Sequence, residues 1–150
     1  MERAIRLSVE HVRAGLGGPF AALVVRNGAV IAEGANQVTA LNDPTAHAEI
    51  VAIRAACQAL RNFQLSDCEL YTTCEPCPMC MGAIYWARLK KIHHAATRED
   101  AAEAGFDDSF IYDQLKLPPQ ARKIAMAQLM REQALEAFRE WERSPTKVRY

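Results

Sequence analysis

The dipeptide Asn27-Gly28 stands between two apolar, β-branched runs, Phe20 to Arg26 (FAALVVR) and Ala29 to Glu33 (AVIAE). A two-residue hairpin turn needs positive φ at its central positions, which Asn and Gly tolerate, so this junction commits the chain to an antiparallel pair of strands. The rest of the chain must then cover a sheet. Upstream, Ile5, Val9, Val12 and Leu16 recur at intervals of three and four, which predicts an amphipathic helix from Ala4 to Leu16, ended by Gly15, Gly17 and Gly18.

Downstream, Asn42-Asp43-Pro44-Thr45 reads as a turn and helix cap before AHAEIVAIRAACQAL, where Ile50, Ile53, Cys57 and Leu60 share a face. His47 and Glu49 then belong to the first turns of that helix. Cys68 to Thr73 is a short strand, Pro76 to Leu89 a helix opened by proline, Lys91 to Ala96 a fourth strand, and Arg98 to Ala104 a short helix. GFDDSFIYD after Ala104 reads as a loop, and LPPQ as a breaker. Lys123 to Met130 (KIAMAQLM) is read as a fifth strand, the alternative being the start of the helix that runs from Arg131 to Trp141. Alternating strands and helices in a chain of 150 residues, half of them hydrophobic, predict one α/β domain over residues 1–150, a three-layer α/β/α sheet covered by helices.

Formal net charge is zero, and no basic block is longer than Lys90-Lys91, so the chain lacks the electrostatic footprint for gripping a phosphate backbone. A small, weakly charged partner is expected rather than nucleic acid. MERAIRLSVEHVRAGLGG has no apolar run suited to a signal peptide or a membrane span, which predicts a cytoplasmic protein with no membrane partner. Five cysteines in a reducing compartment are thiols or metal ligands before they are disulfides.

Three of the five lie in YTTCEPCPMCMG, at positions 74, 77 and 80. Cys77 and Cys80 can chelate one ion from a turn that opens a helix, where the helix dipole favours the thiolate. An iron–sulfur motif needs a further cysteine just beyond, and MGAIYWARL offers none. A third ligand is found upstream in His47, followed two residues later by Glu49. H-x-E followed by P-C-x-x-C is the signature of zinc deaminases. In that pattern His47, Cys77 and Cys80 hold zinc, the fourth position is left to water, and Glu49 shuttles the proton. A redox pair at Cys77 and Cys80, or a structural zinc closed by Cys74, are the alternatives. Cys57 and Cys68 are read as buried thiols, and His11, His93 and His94 receive no functional role.

The stretches GGPFAA (17–22), NDPTAHAE (42–49), YTTCEPCPMCMGAIYWAR (71–88) and DAAEAGFDDSFIY (100–112) together resemble the cytidine deaminase-like superfamily, with its central mixed sheet, and within it the bacterial guanine deaminases. The last stretch discriminates between members. The resemblance implies hydrolytic deamination of guanine, with guanosine, cytosine, aminotriazines or adenosine in tRNA as other substrates of the same chemistry. It implies that Phe20 and Trp86 line the base pocket, with Ala48 also touching substrate. Asn36 would read the carbonyl side of the purine, Asp108 would hold its amino and ring N–H face, and Tyr150 would close the site. It further implies a homodimer in which the C-terminal segment is exchanged, so that Tyr150 reaches the partner's pocket.

Overall fold

The computed structural model describes Met1–Tyr150 and divides into two compact units, residues 1–108 and 109–150. In the first, helix α1 (Glu2–Arg13) precedes strands β1 (Ala21–Arg26) and β2 (Ala29–Ala35). Asn27 and Gly28 take φ of 50° and 78°, and the two strands pair antiparallel from Ala21 against Ala35 to Arg26 against Ala29, with a bulge between Val24 and Val25. The expected hairpin is present, with β2 two residues longer than the sequence pattern predicted. A short helix α2 (Val38–Leu41) follows, then α3 (Ala48–Leu60), β3 (Cys68–Cys74), α4 (Pro78–Ala87), β4 (Lys91–Ala96) and α5 (Arg98–Glu103).

The sheet has four strands in the order β2-β1-β3-β4. β1 pairs antiparallel with β3, and β3 runs parallel to β4, so the sheet is mixed and α4 is the crossover between parallel neighbours. Alternation along β1 gives the sheet two buried faces. Ala22 and Val24 join Ala52, Ile53 and Ala56 of α3, Leu70 of β3, and Ile84 and Ala87 of α4 in one core cluster. Leu23 points to the opposite face and is also buried, where α1 packs against β1 and β3. Helices on both faces make this unit three-layered.

Helix α1 turns a different face to the sheet from the one its pattern suggested. Ala4 and Ser8 are buried, whereas Ile5, Val9, Val12 and Leu16 are exposed. Small residues let the helix axis approach the sheet, and the Ser8 hydroxyl satisfies itself by donating to the Ile5 carbonyl at 2.8 Å.

In the second unit, part of the expected loop is helix α6 (Ser109–Lys116), whose Ile111 and Leu115 stand one turn apart. A single 3-10 turn spans Pro119–Ala121, and α7 covers Arg131–Arg143. The expected fifth strand at Lys123–Met130 does not form. A strand exists only with a ladder partner, and the Lys123 N–H donates instead to the Gln114 side chain at 2.6 Å. Ile124 and Leu129 are each 80 % exposed, and no residue of 109–150 is buried. No helix of the chain is long and apolar enough to cross a membrane.

Candidate active site

Two helix starts converge here. His47 and Cys77 are the N-cap residues of α3 and α4, both with extended backbone (φ −67°, ψ 154° and φ −65°, ψ 169°), and neither side chain caps its helix. His47 thus stands just before the helix in which it was expected. The Asp43 turn does form, with Asp43 Oδ1 accepting from the Thr45 N–H at 2.8 Å, but it ends short of the cap. The two side chains are directed at one another instead: His47 Nδ1 lies 3.5 Å from Cys77 Sγ, and 3.6 Å from the Sγ of Cys80 in the first turn of α4.

Those spacings test whether zinc fits. Bonds of about 2.3 Å to sulfur and 2.0–2.1 Å to nitrogen at tetrahedral angles put a ligand nitrogen about 3.6 Å from a ligand sulfur. The ligand atoms of His47, Cys77 and Cys80 all fall within 4.8 Å of one another. The electrostatics agree. A hydrogen bond from Cys80, then one with His47, hold Cys77 down at about 4 against the opposing effect of burial. The hydrogen bond to Cys77 and burial push Cys80 strongly up, so the two sulfurs hold one proton between them. A divalent cation in place of that shared proton lets both sulfurs ionise. Hydrogen bonding to Cys77 also raises the His47 imidazole.

Cys74 is a different kind of thiol. Its Sγ donates to the Thr97 carbonyl at 3.3 Å, and burial, with Glu49 nearby, pushes it up to about 11. It lies outside the three-ligand group, which leaves a zinc ion there an open fourth position.

Glu49, the second residue of α3, is buried, and its Oε1 accepts from the Thr72 hydroxyl at 3.5 Å. Burial holds its carboxyl above the ordinary value, against its own backbone N–H. A cavity of about 260 Å³ opens over these groups and is lined by His47, Glu49 and Cys77 together with Phe20, Asn36 and Asp108. Burial and the Cys77 charge raise Asp108. Six of the expected site residues therefore face one space, and Cys80 is buried behind it as the third member of the metal group.

Trp86 is 68 % exposed on α4 and does not line this cavity, nor does Ala48, which is fully buried at the first position of α3. Tyr150 ends the second unit and is exposed. The aromatic companion of Phe20 is Phe106, in edge-to-face contact with centroids 4.9 Å apart. Phe106 sits in the quoted stretch DAAEAGFDDSFIY, so its neighbourhood was legible though its role was not. Thr39, Glu75, Arg98 and Ala101 also line the cavity; Glu75 and Ala101 lie within the quoted stretches, whereas no motif announced Thr39 or Arg98. Arg98 and Ala101 are presented by α5, whose Thr97 and Asp100 form a reciprocal capping box.

Comparison with known proteins places this arrangement. Residues 1–96 match the cytidine and deoxycytidylate deaminase zinc-binding region. The chain is 55 % identical over all 150 residues to guanine deaminase of Bacillus subtilis, covering 96 % of that protein. The X-ray structure of that enzyme superposes with a TM-score of 0.96, covering 99 % of this chain and 95 % of the other. Guanine deaminase from Nitrosomonas europaea is 33 % identical with a TM-score of 0.69, over 93 % of this chain and 80 % of that one. A tRNA-specific adenosine deaminase of Agrobacterium fabrum is 45 % identical over 89 residues, covering 58 % of this chain and 59 % of that protein. With the ligand geometry, the buried carboxylate and these likenesses in agreement, the chain belongs to the zinc-dependent cytidine and deoxycytidylate deaminase family.

Proposed function

We propose that the protein catalyses the hydrolytic deamination of guanine, converting guanine and water to xanthine and ammonia. The observation that carries this reading is that likeness to a guanine deaminase runs through the whole chain, while likeness to a tRNA-specific adenosine deaminase covers 89 residues. The cavity chemistry agrees with it. The Asn36 Oδ1 already accepts from the Val38 N–H at 3.3 Å, so the amide has its Nδ2 donor to offer the substrate. A donor there suits the O6 carbonyl of guanine and not the 6-amino group of adenine. Asp108 accepts from the amino and N1–H edge, and Phe20 with Phe106 bounds the ring. At about 260 Å³ the cavity falls just below the roughly 300–1,000 Å³ of sites for drug-sized ligands, and this favours a free base.

His47, Cys77 and Cys80 would hold the zinc, which when bound would supply Lewis acidity and lower the pKa of water. Glu49 accepts a proton from the water that adds to C2 and delivers it to the ring nitrogen N3; it then takes the proton of the new C2 hydroxyl and passes it to the amine, which departs as ammonia as the C2 carbonyl forms. Burial suits Glu49 to this traffic, because a carboxyl held above its usual range takes up the water's proton more readily.

The working form is one deaminase domain over residues 1–150, a cytoplasmic homodimer in which each C-terminal segment packs on the partner and Tyr150 covers the partner's site. Two observations support the exchange: residues 109–150 bury none of their own side chains, and β4 is an edge strand. Five free cysteines fit a reducing compartment. The test is ammonia release by the zinc-loaded protein from guanine, guanosine, cytosine, adenine and an aminotriazine. Preference for guanine is expected; preference for any other amine sinks the substrate assignment while sparing the zinc chemistry.

A further inference from the structure

Helix α1 takes no part in the chemistry above, yet one of its side chains reaches the base-reading loop. Three contacts fix Asn36. Its N–H donates to the Phe20 carbonyl at 3.0 Å, its Oδ1 accepts from the Val38 N–H at 3.3 Å, and its own carbonyl oxygen meets His11 Nε2 at 2.6 Å. The Val38 contact is made within the loop itself. The His11 contact spans 25 residues and ties the loop to a separate helix. A carbonyl oxygen only accepts, so Nε2 must carry the proton.

The space beside that contact is also closed to a side chain at position 17. A Cβ on Gly17 would stand 2.3 Å from the Asn36 oxygen and 2.9 Å from His11 Nε2. Only glycine at position 17 therefore leaves room for the imidazole to meet this oxygen, and Asn36 itself is buried. Removing the donor leaves a buried acceptor unpaired, and the Asn36–Gln37 peptide, then held only through the Gln37 N–H that donates to the Ala46 carbonyl at 2.9 Å, can tip toward another donor. Because the side-chain amide leaves the same Cα, a tipped peptide carries Nδ2 away from the position at which it meets the base.

We infer that His11 is a positioning residue for substrate selection: by donating Nε2–H to the Asn36 carbonyl, it aims the Asn36 amide at the purine C6 oxygen. The inference rests on the guanine reading above. Asn36 touches the base in the bound state as well as in the transition state, so loss of its aim falls on KM more than on kcat.

The experiment compares the zinc-loaded wild type with His11→Leu, which fills the space without a donor, and His11→Gln, which keeps a donor at similar reach. KM and kcat are measured on guanine, and 2-aminopurine, which has the amine at C2 and no oxygen at C6, is used as a competitive inhibitor. His11→Leu is expected to raise the guanine KM about fivefold to tenfold, with kcat changed by less than about twofold, zinc content intact, and 2-aminopurine inhibition unaltered. His11→Gln should return KM to within about twofold of wild type. Equal losses on both purines, or no recovery in His11→Gln, would show that His11 serves stability alone and overturn the assignment. Nitrogen-15 shifts of His11 in the wild type give a reading that needs no variant to fold: a protonated Nε2 is expected, and a proton found only on Nδ1 refutes the contact. Wild-type protein inert toward guanine would refute the substrate reading, and with it this role. Normal guanine turnover that is indifferent to His11→Leu refutes the role of His11 by itself.

Discussion

Gly34 touches no substrate, yet Gly34→Ala is expected to injure both stability and turnover. A Cβ at this position in β2 would stand 2.5 Å from the Ala48 carbonyl oxygen, 2.6 Å from the Ala52 nitrogen and 3.0 Å from the Val51 Cβ. Two of the three are backbone atoms of α3, so no rotamer change relieves the clash. Restoring ordinary contact requires the start of α3 to withdraw by about 1 Å. Overpacking of this kind costs about 1–3 kcal/mol, which lowers Tm by several degrees, at roughly 2–4 °C per kcal/mol for a chain of this size. The same movement displaces Glu49 and follows directly on His47, both of which must hold their places against the Cys77 and Cys80 sulfurs. A misplacement of about 1 Å at a catalytic group is worth on the order of 100-fold in rate. Thermal melts, zinc content and kcat on guanine together test this. A Gly34→Ala protein with unchanged Tm and kcat would show that β2 does not set the height of α3. A lower Tm with normal kcat would show that the site is carried independently of the helix.

Glu49→Gln should keep its zinc and lose turnover by about 10²–10⁴-fold, the usual weight of a proton-transfer group, as read by metal analysis and steady-state rates. Cys77→Ser should release the metal and Cys74→Ser should retain it; zinc loss from the Cys74 variant would mean four protein ligands and a closed site. Cys74 titrates at about 11 in the folded chain against a reference of 9.0, so its contribution to stability is whole below pH 9 and lost as pH rises to 11. Cys74→Ala should therefore flatten the fall of chemical-denaturation midpoints across that window, and an unchanged slope would count against the buried thiol. Deleting Tyr150 should depress guanine turnover, and full activity after deletion would remove it from the site.

The parts of the fold that were legible in the sequence are those where local chemistry and tertiary demand agree. Asn27-Gly28 could turn only one way between two β-branched runs, and Lys91–Ala96 formed the strand its pattern predicted. The metal group was readable because ligand chemistry requires particular residue types, wherever in the chain they come from. Pattern misled where packing chose between two faces. In α1 the larger apolar residues formed the obvious stripe, but close approach to the sheet selected Ala4 and Ser8. At Lys123–Met130 the residues permitted a strand, but a strand is a property of two segments, and the sequence names only one. His11 was opaque for the same reason. Its importance lies in a carbonyl oxygen 25 residues away, a group every residue carries and no sequence motif marks.

The segments around the cavity divide by origin. The zinc ligands and Glu49 belong to the starts of α3 and α4, whereas Asn36 follows β2, and Phe106 and Asp108 follow α5. In the proposed reading one set would perform the reaction and the other choose the molecule, and besides the sheet they are joined by few bonds, such as that from the Gln37 N–H to the Ala46 carbonyl. Such a division lets inheritance act on them separately. A lineage can exchange the stretch between Thr97 and Asp108, and so acquire a different diet of amines, while the hydrolytic machinery passes on unaltered.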